Sequence, residues 1–141
     1  MSTRCVTIFR QRSIDRYKKE RTEELVRFYR HCDGYMEAHG VDLADAILES
    51  GENEHPSSQW AQKVLARLFS KDIHLMLESR ETEHGDIEFL YIVELVNDWA
   101  SRSSRIEVSV YKVEFDTAYE RVQSYTEPIF AGNVQDLLLE D

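Results

Sequence analysis

The chain has 141 residues, 42% of them hydrophobic and 11% aromatic, with five Gly and two Pro, so it is long enough to bury its own core and too apolar for a disordered segment. Its 27 Asp and Glu against 17 Lys and Arg give a formal net charge of −10, which argues against nonspecific binding to nucleic acid or to an anionic membrane surface. A small anionic ligand held by a local arginine cluster stays compatible with that charge, and arginine is the preferred cation, twelve against five lysines.

Residues 4–10 alternate Cys5, Thr7 and Phe9 with Val6 and Ile8, the pattern of a short strand covered on both faces. The charged run 11–23 predicts a long exposed hairpin loop or small lobe, expected to be mobile. Residues 24–31 form a second strand, paired with the first as a hairpin. A helix is expected from near Glu37 or His39 to about Glu49, with Val41, Leu43, Ala44, Ile47 and Leu48 on its apolar stripe and Ser50-Gly51 ending it. Pro56 and Ser57 or Ser58 open a second helix, about 58–70, that buries Trp60, Val64, Leu65 and Leu68.

Three strands are expected next. Residues 72–79 place Ile73, Leu75 and Leu77 on one face, and 86–96 place Ile87, Phe89, Tyr91, Val93 and Leu95 on one face. Glu83-His84-Gly85-Asp86 predicts the hairpin turn between them. Residues 105–115 carry Ile106, Val108 and Val110, then Tyr111, Val113 and Phe115 out of phase, which predicts a bulge or a face switch near Tyr111. A short extended piece at Ile129-Phe130 leads through Gly132-Asn133 into a terminal helix bearing Val134, Leu137 and Leu138. The order predicts one α+β domain over 1–141, an antiparallel sheet of about five strands with two central helices and a short C-terminal helix. Cys5 and Cys32 lack metal-site spacing, no apolar leader follows Met1, and no apolar run of 18 exists, so a reduced, cytoplasmic protein is expected.

The chemistry concentrates in residues 28–43, FYRHCDGYMEAHGVDL. Asp33-Gly34 suits a sharp strand-to-helix turn, with Asp bonding nearby amides and Gly tolerating positive φ. Arg30, His31, Tyr35 and His39 are donors and flat rings gathered where a strand meets a helix start, a place that favours anions. Tyr35 can stack a base, Arg4, Arg10 or Arg105 can reach a phosphate, and Trp60 can add a wall. The candidate ligand-binding set is therefore Arg30, His31, Asp33, Tyr35, His39, Trp60 and Arg105. A metal site would take His31, Asp33 and His39, but no fourth ligand sits at a recognisable spacing. No GxSxG, Walker loop or GxGxxG occurs, so neither an enzyme nor a bound cofactor is expected.

Thr3-Arg4-Cys5 and the run from Tyr29 to Leu43 resemble a family of small proteins common in phages and prophages, in which an aromatic segment leads into Asp-Gly-Tyr-Pro, then His-Gly, then Leu and a helix. The match runs through Tyr29, Arg30, Asp33, Gly34, Tyr35, His39, Gly40 and Leu43. IEFLYIVEL and IFAGNVQDLL resemble the family's later strand and its final glycine-plus-helix. Met36 replaces the family's proline, which makes the turn less rigid, and Cys32 replaces an aromatic. The resemblance implies kinship with phage anti-defence sponge proteins of the Thoeris-inhibiting type, which oligomerise and sequester cyclic ADP-ribose-like signals or cyclic oligonucleotides. The expected function is therefore sequestration of a small anionic, nucleotide-like ligand by a homo-oligomer in the host cytosol, without cleavage. The alternatives are an acidic inhibitor that binds a host defence protein, and a metal-dependent phosphodiesterase or nuclease.

Overall fold

The computed structural model describes residues 3–71, 74–82, 84–114 and 117–139, the side chain of Leu139 apart. The expected contributions of Ile73, Glu83 and Phe115 lie outside these residues. In chain order, β1 is Cys5–Ile14, β2 Glu20–Arg30, α1 Val41–Glu49 after one π-helical turn over Met36–Gly40, α2 Trp60–Phe69 and β3 Leu75–Glu78. Then come β4 Phe89–Asp98, β5 Ser103–Lys112, α3 Tyr119–Tyr125, β6 Phe130–Gly132 and α4 Val134–Leu139. The strands form one six-stranded sheet in the order β3-β2-β1-β4-β5-β6. Among the described residues no helix is long and apolar enough to cross a membrane.

An α+β arrangement is what the element order predicts, but the sheet is mixed rather than antiparallel and has six strands rather than about five. Its central pair, β1 and β4, is parallel over Cys5–Ile14 and Phe89–Asp98. Both strands carry apolar residues on both faces, as a strand needs when each face is covered. β3 and β4 are not a hairpin, because β2 and β1 lie between them. The segment around His84 instead crosses the sheet: His84 stacks on Tyr29 with ring centres 4.1 Å apart, and Arg27 Nη1 donates to the Thr82 carbonyl at 3.0 Å.

Residues 11–23 are also a correction. β1 continues to Ile14 and β2 begins at Glu20, so most of the charged run is paired strand around a short turn. Alternating polar residues suffice for strands that project past the core, and the Arg12–Glu20 ion pair at 3.3 Å reinforces the ladder. The bulge expected near Tyr111 lies elsewhere: β5 pairs with β4 in unbroken register, and the register shift falls between Phe9 and Arg10. Tyr111 and Val113 point to the second sheet face, which α3, an element the periodicity did not suggest, covers with Tyr119 and Val122.

On the first face, Cys5, Phe9, Phe28, Tyr91, Val93 and Val108 pack under α1, α2 and α4. Trp60 opens α2 and stacks on Phe9 at 5.6 Å, and Leu43, Ala44 and Ile47 of α1 close the layer. Burying each large side chain contributes about 1.5–3 kcal/mol. Gly51, with φ +76°, ends α1 as expected. In the loop that follows, buried Glu52 accepts from Ser57 N–H and Ser57 Oγ. Burial works against its charge, but these bonds and Lys63 outweigh it and hold the carboxyl below its usual pKa.

Candidate functional site

The 30–39 segment divides into a buried half and an exposed half. Asp33, not Gly34, adopts the left-handed conformation, with φ 57°. Gly34 serves by close approach: its N–H donates to Thr3 carbonyl at 2.9 Å, and a Cβ there would lie 2.9 Å from Cys5 Cβ. The Tyr91 hydroxyl, from β4, donates to the Gly34 carbonyl at 2.7 Å and fixes the turn from the core side. Burial pushes the Tyr91 pKa well up, so it stays a donor.

His39 and Arg30 point inward. His39 is fully buried, with Nε2 2.7 Å from Thr7 Oγ1 and Nδ1 3.2 Å from Arg30 Nη1. Arginine only donates, so Nδ1 must accept and Nε2–H donates to Thr7. Burial, and then the charge of Arg30, drive the His39 pKa down to about 3, leaving the ring neutral. Arg30 Nη1 also donates to Asp42 Oδ2 at 2.8 Å, which ties β2 to the first turn of α1. This cluster holds the strand-to-helix corner together.

His31, Asp33 and Tyr35 lie on the surface instead. His31 Nδ1 is 3.2 Å from Tyr29 Oη and 3.4 Å from Arg4 Nε, and Tyr35 Oη reaches Asp33 Oδ1 at 3.5 Å. Trp60 is sealed in the core. Arg105 stands level with Val96 of β4, whereas Arg30 is level with Cys5, itself level with Phe89 at the strand's other end. Arg105 Nε pairs with Glu107 at 2.6 Å. The structure thus joins Arg30 to His39 and Asp33 to Tyr35, and does not bring the seven residues to one cavity. Among the described residues no group of three or more His, Cys, Asp or Glu is arranged to hold a metal ion.

A recess of about 710 Å³ lies at the other end of the sheet, beyond the carboxyl ends of the parallel pair β1 and β4. The Asp15–Lys19 turn and the Trp99–Arg102 turn diverge there, and Trp99 N–H donates to Ile14 carbonyl at 2.9 Å to link them. In open sheets, the space outside the carboxyl ends of parallel strands is a recurrent ligand position. Lys19, Arg21 and Arg102 line the recess with Ile14, Asn97 and Trp99, a residue 55% exposed. Its carboxylates are engaged: Asp15 Oδ1 accepts from Tyr17 N–H and Lys19 N–H, Asp98 Oδ1 from Ala100 N–H, and Glu20 pairs with Arg12. The three cations form no ion pair among the described residues. Two of the turn positions, Lys18 and Arg102, are left-handed at φ 63° and 52°.

None of these residues except Ile14 carries a hydrophobic-pattern signal. The available clue was Trp99 itself, an aromatic set in the polar run Asn97-Asp98-Trp99-Ala100-Ser101-Arg102 between two strands. Comparison with known protein families, characterised proteins and solved structures gives no match to this chain.

Proposed function

We propose that the protein binds a small anionic, nucleotide-like ligand and holds it unchanged, with the recess between the two hairpin turns as the site. The supporting observation is an exposed indole beside three cations without carboxylate partners among the described residues, on a chain of net charge −10. A volume of about 710 Å³ falls within the range of small-molecule pockets, about 300–1,000 Å³. Trp99 offers a face for a base, worth about 1–3 kcal/mol in stacking, while Arg21, Lys19 and Arg102 suit phosphate oxygens. The resemblance to phage anti-defence proteins makes a cyclic ADP-ribose-like or cyclic oligonucleotide signal the first ligand to test. Sequestration works by mass action, and a nanomolar dissociation constant, about −12 kcal/mol, is the required scale.

The test is incubation with a panel of cyclic ADP-ribose isomers and cyclic oligonucleotides, then denaturation and mass spectrometry of what is released. Intact recovery of one member in near-stoichiometric amount is expected, and a hydrolysed product would instead make the protein an enzyme. The same titration quenches Trp99 fluorescence, since the other indole, Trp60, is buried. Trp99→Ala is expected to weaken binding roughly 5- to 150-fold. Arg21→Ala should weaken it while leaving the fold intact. Recovery of no panel member, with no fluorescence change, would end the proposal.

A further inference from the structure

The two edges of the sheet are treated differently. β6 is three residues long and runs almost directly into α4, which packs beside it. β3, at the other edge, is also short, at four residues, but among the described residues no helix follows beside it, and Leu75, Met76, Leu77 and Glu78 include no lysine, proline or bulge, devices that often keep an edge from pairing. Its two middle side chains are uncovered, one on each face, while Leu75 packs against the core and Glu78 meets His84. Leu77 is 61% exposed beside Phe28, where Phe69 also lies, and Met76 is 53% exposed beside Tyr29 on the opposite face.

We propose that β3 pairs antiparallel with β3 of a second copy, joining two sheets into one across a two-fold axis between Met76 and Leu77. Three observations favour a second copy over another partner. An antiparallel edge is self-complementary, so one Met-Leu step supplies both halves of the contact. The charges around the edge are internally engaged: Glu78 by His84 at 2.8 Å, Arg27 by Glu24 at 2.7 Å and Arg30 by Asp42 at 2.8 Å. Among the described residues of β3 and its partner β2 segment, each charged side chain thus already has a partner in its own chain, and Met76 and Leu77 are the exposed side chains left for a second copy. The blocked β6 edge favours closure at two copies over a growing chain. This pairing does not depend on the ligand proposed above.

Sedimentation velocity from about 1 to 200 µM tests it, because dimer population follows mass action. A dimer with a micromolar dissociation constant is expected, given so short an edge. Met76→Lys and Leu77→Lys should each give a monomer with an unchanged circular dichroism spectrum, both side chains being more than half exposed. Amide exchange on the unsubstituted protein adds a readout that needs no variant, since protection over 75–78 should rise with concentration. A monomer at the highest concentration, a dimer that survives both lysines, a species that grows beyond two copies, or flat protection over 75–78 would each overturn the proposal.

Discussion

Gly34→Ala is expected to cost about 2–4 kcal/mol in urea unfolding, a large part of the about 5–15 kcal/mol that holds a domain of this size. The new methyl would meet Cys5 Cβ at 2.9 Å, Thr3 carbonyl oxygen at 2.9 Å and Cys5 N at 3.0 Å. Two of the three are backbone atoms, one opening β1 and one two residues before it, and β1 is paired on both sides, so neither can swing away as a flexible side chain would. Moving the turn outward would instead break the Gly34–Thr3 bond and the Tyr91–Gly34 bond. Asp33→Gly makes the informative contrast. Asp33 already holds a left-handed φ of 57°, which costs a non-glycine residue about 1 kcal/mol, so glycine there should be neutral or slightly stabilising. If Asp33→Gly abolished nucleotide uptake while preserving stability, the exposed turn would be the binding site in place of the Trp99 recess.

The second large effect is a dependence of stability on pH that runs through His39. Its folded pKa lies near 3, against 6.5 for the free side chain. Between these values the unfolded chain takes up a proton that the folded chain refuses, so acid favours unfolding. The contribution is fully present above pH 6.5 and is lost as pH falls toward 3, at up to about 1.4 kcal/mol per unit. A protonated ring could not accept from Arg30 Nη1, and it would set two positive charges together beside Tyr91, where Asp42 already pairs with Arg30. Glutamine keeps one donor for Thr7 and one acceptor for Arg30 but does not titrate. Urea unfolding of both proteins at pH 6.5 and pH 5 should therefore show the unsubstituted chain losing about 2 kcal/mol more than His39→Gln. Equal losses would mean that His39 takes up its proton while folded.

Both effects arise in the motif that dominates the sequence, and in both the visible pattern and its cause differ. The Asp-Gly step announced a turn, because those two residues tolerate or cap tight backbone. Which of them takes positive φ, and that Gly34 is required by contact with β1 some thirty residues earlier, depends on the packed strand. His39 and Arg30 likewise drew attention as donors near a helix start. Burial turned them into a hydrogen-bonded corner of the core, because Thr7 arrives from β1, 32 residues before His39, where local spacing cannot place it.

By itself the sequence determined the α+β class, the stripes of α1 and α2, the β1–β2 hairpin and the glycine stop after α1. All of these follow from periodicity and turn chemistry within one element or between neighbours. Only the tertiary structure decided the parallel pairing of β1 with β4, the place of His84 against Tyr29 on the sheet, and the cover that α3 gives its second face. It also decided the recess where Lys19, Arg21, Trp99 and Arg102 meet. These features join segments up to 113 residues apart, as where Arg10 of β1 meets Gln123 of α3, and pairing over such distances is selected by the summed burial of both faces, which no local window of the chain contains.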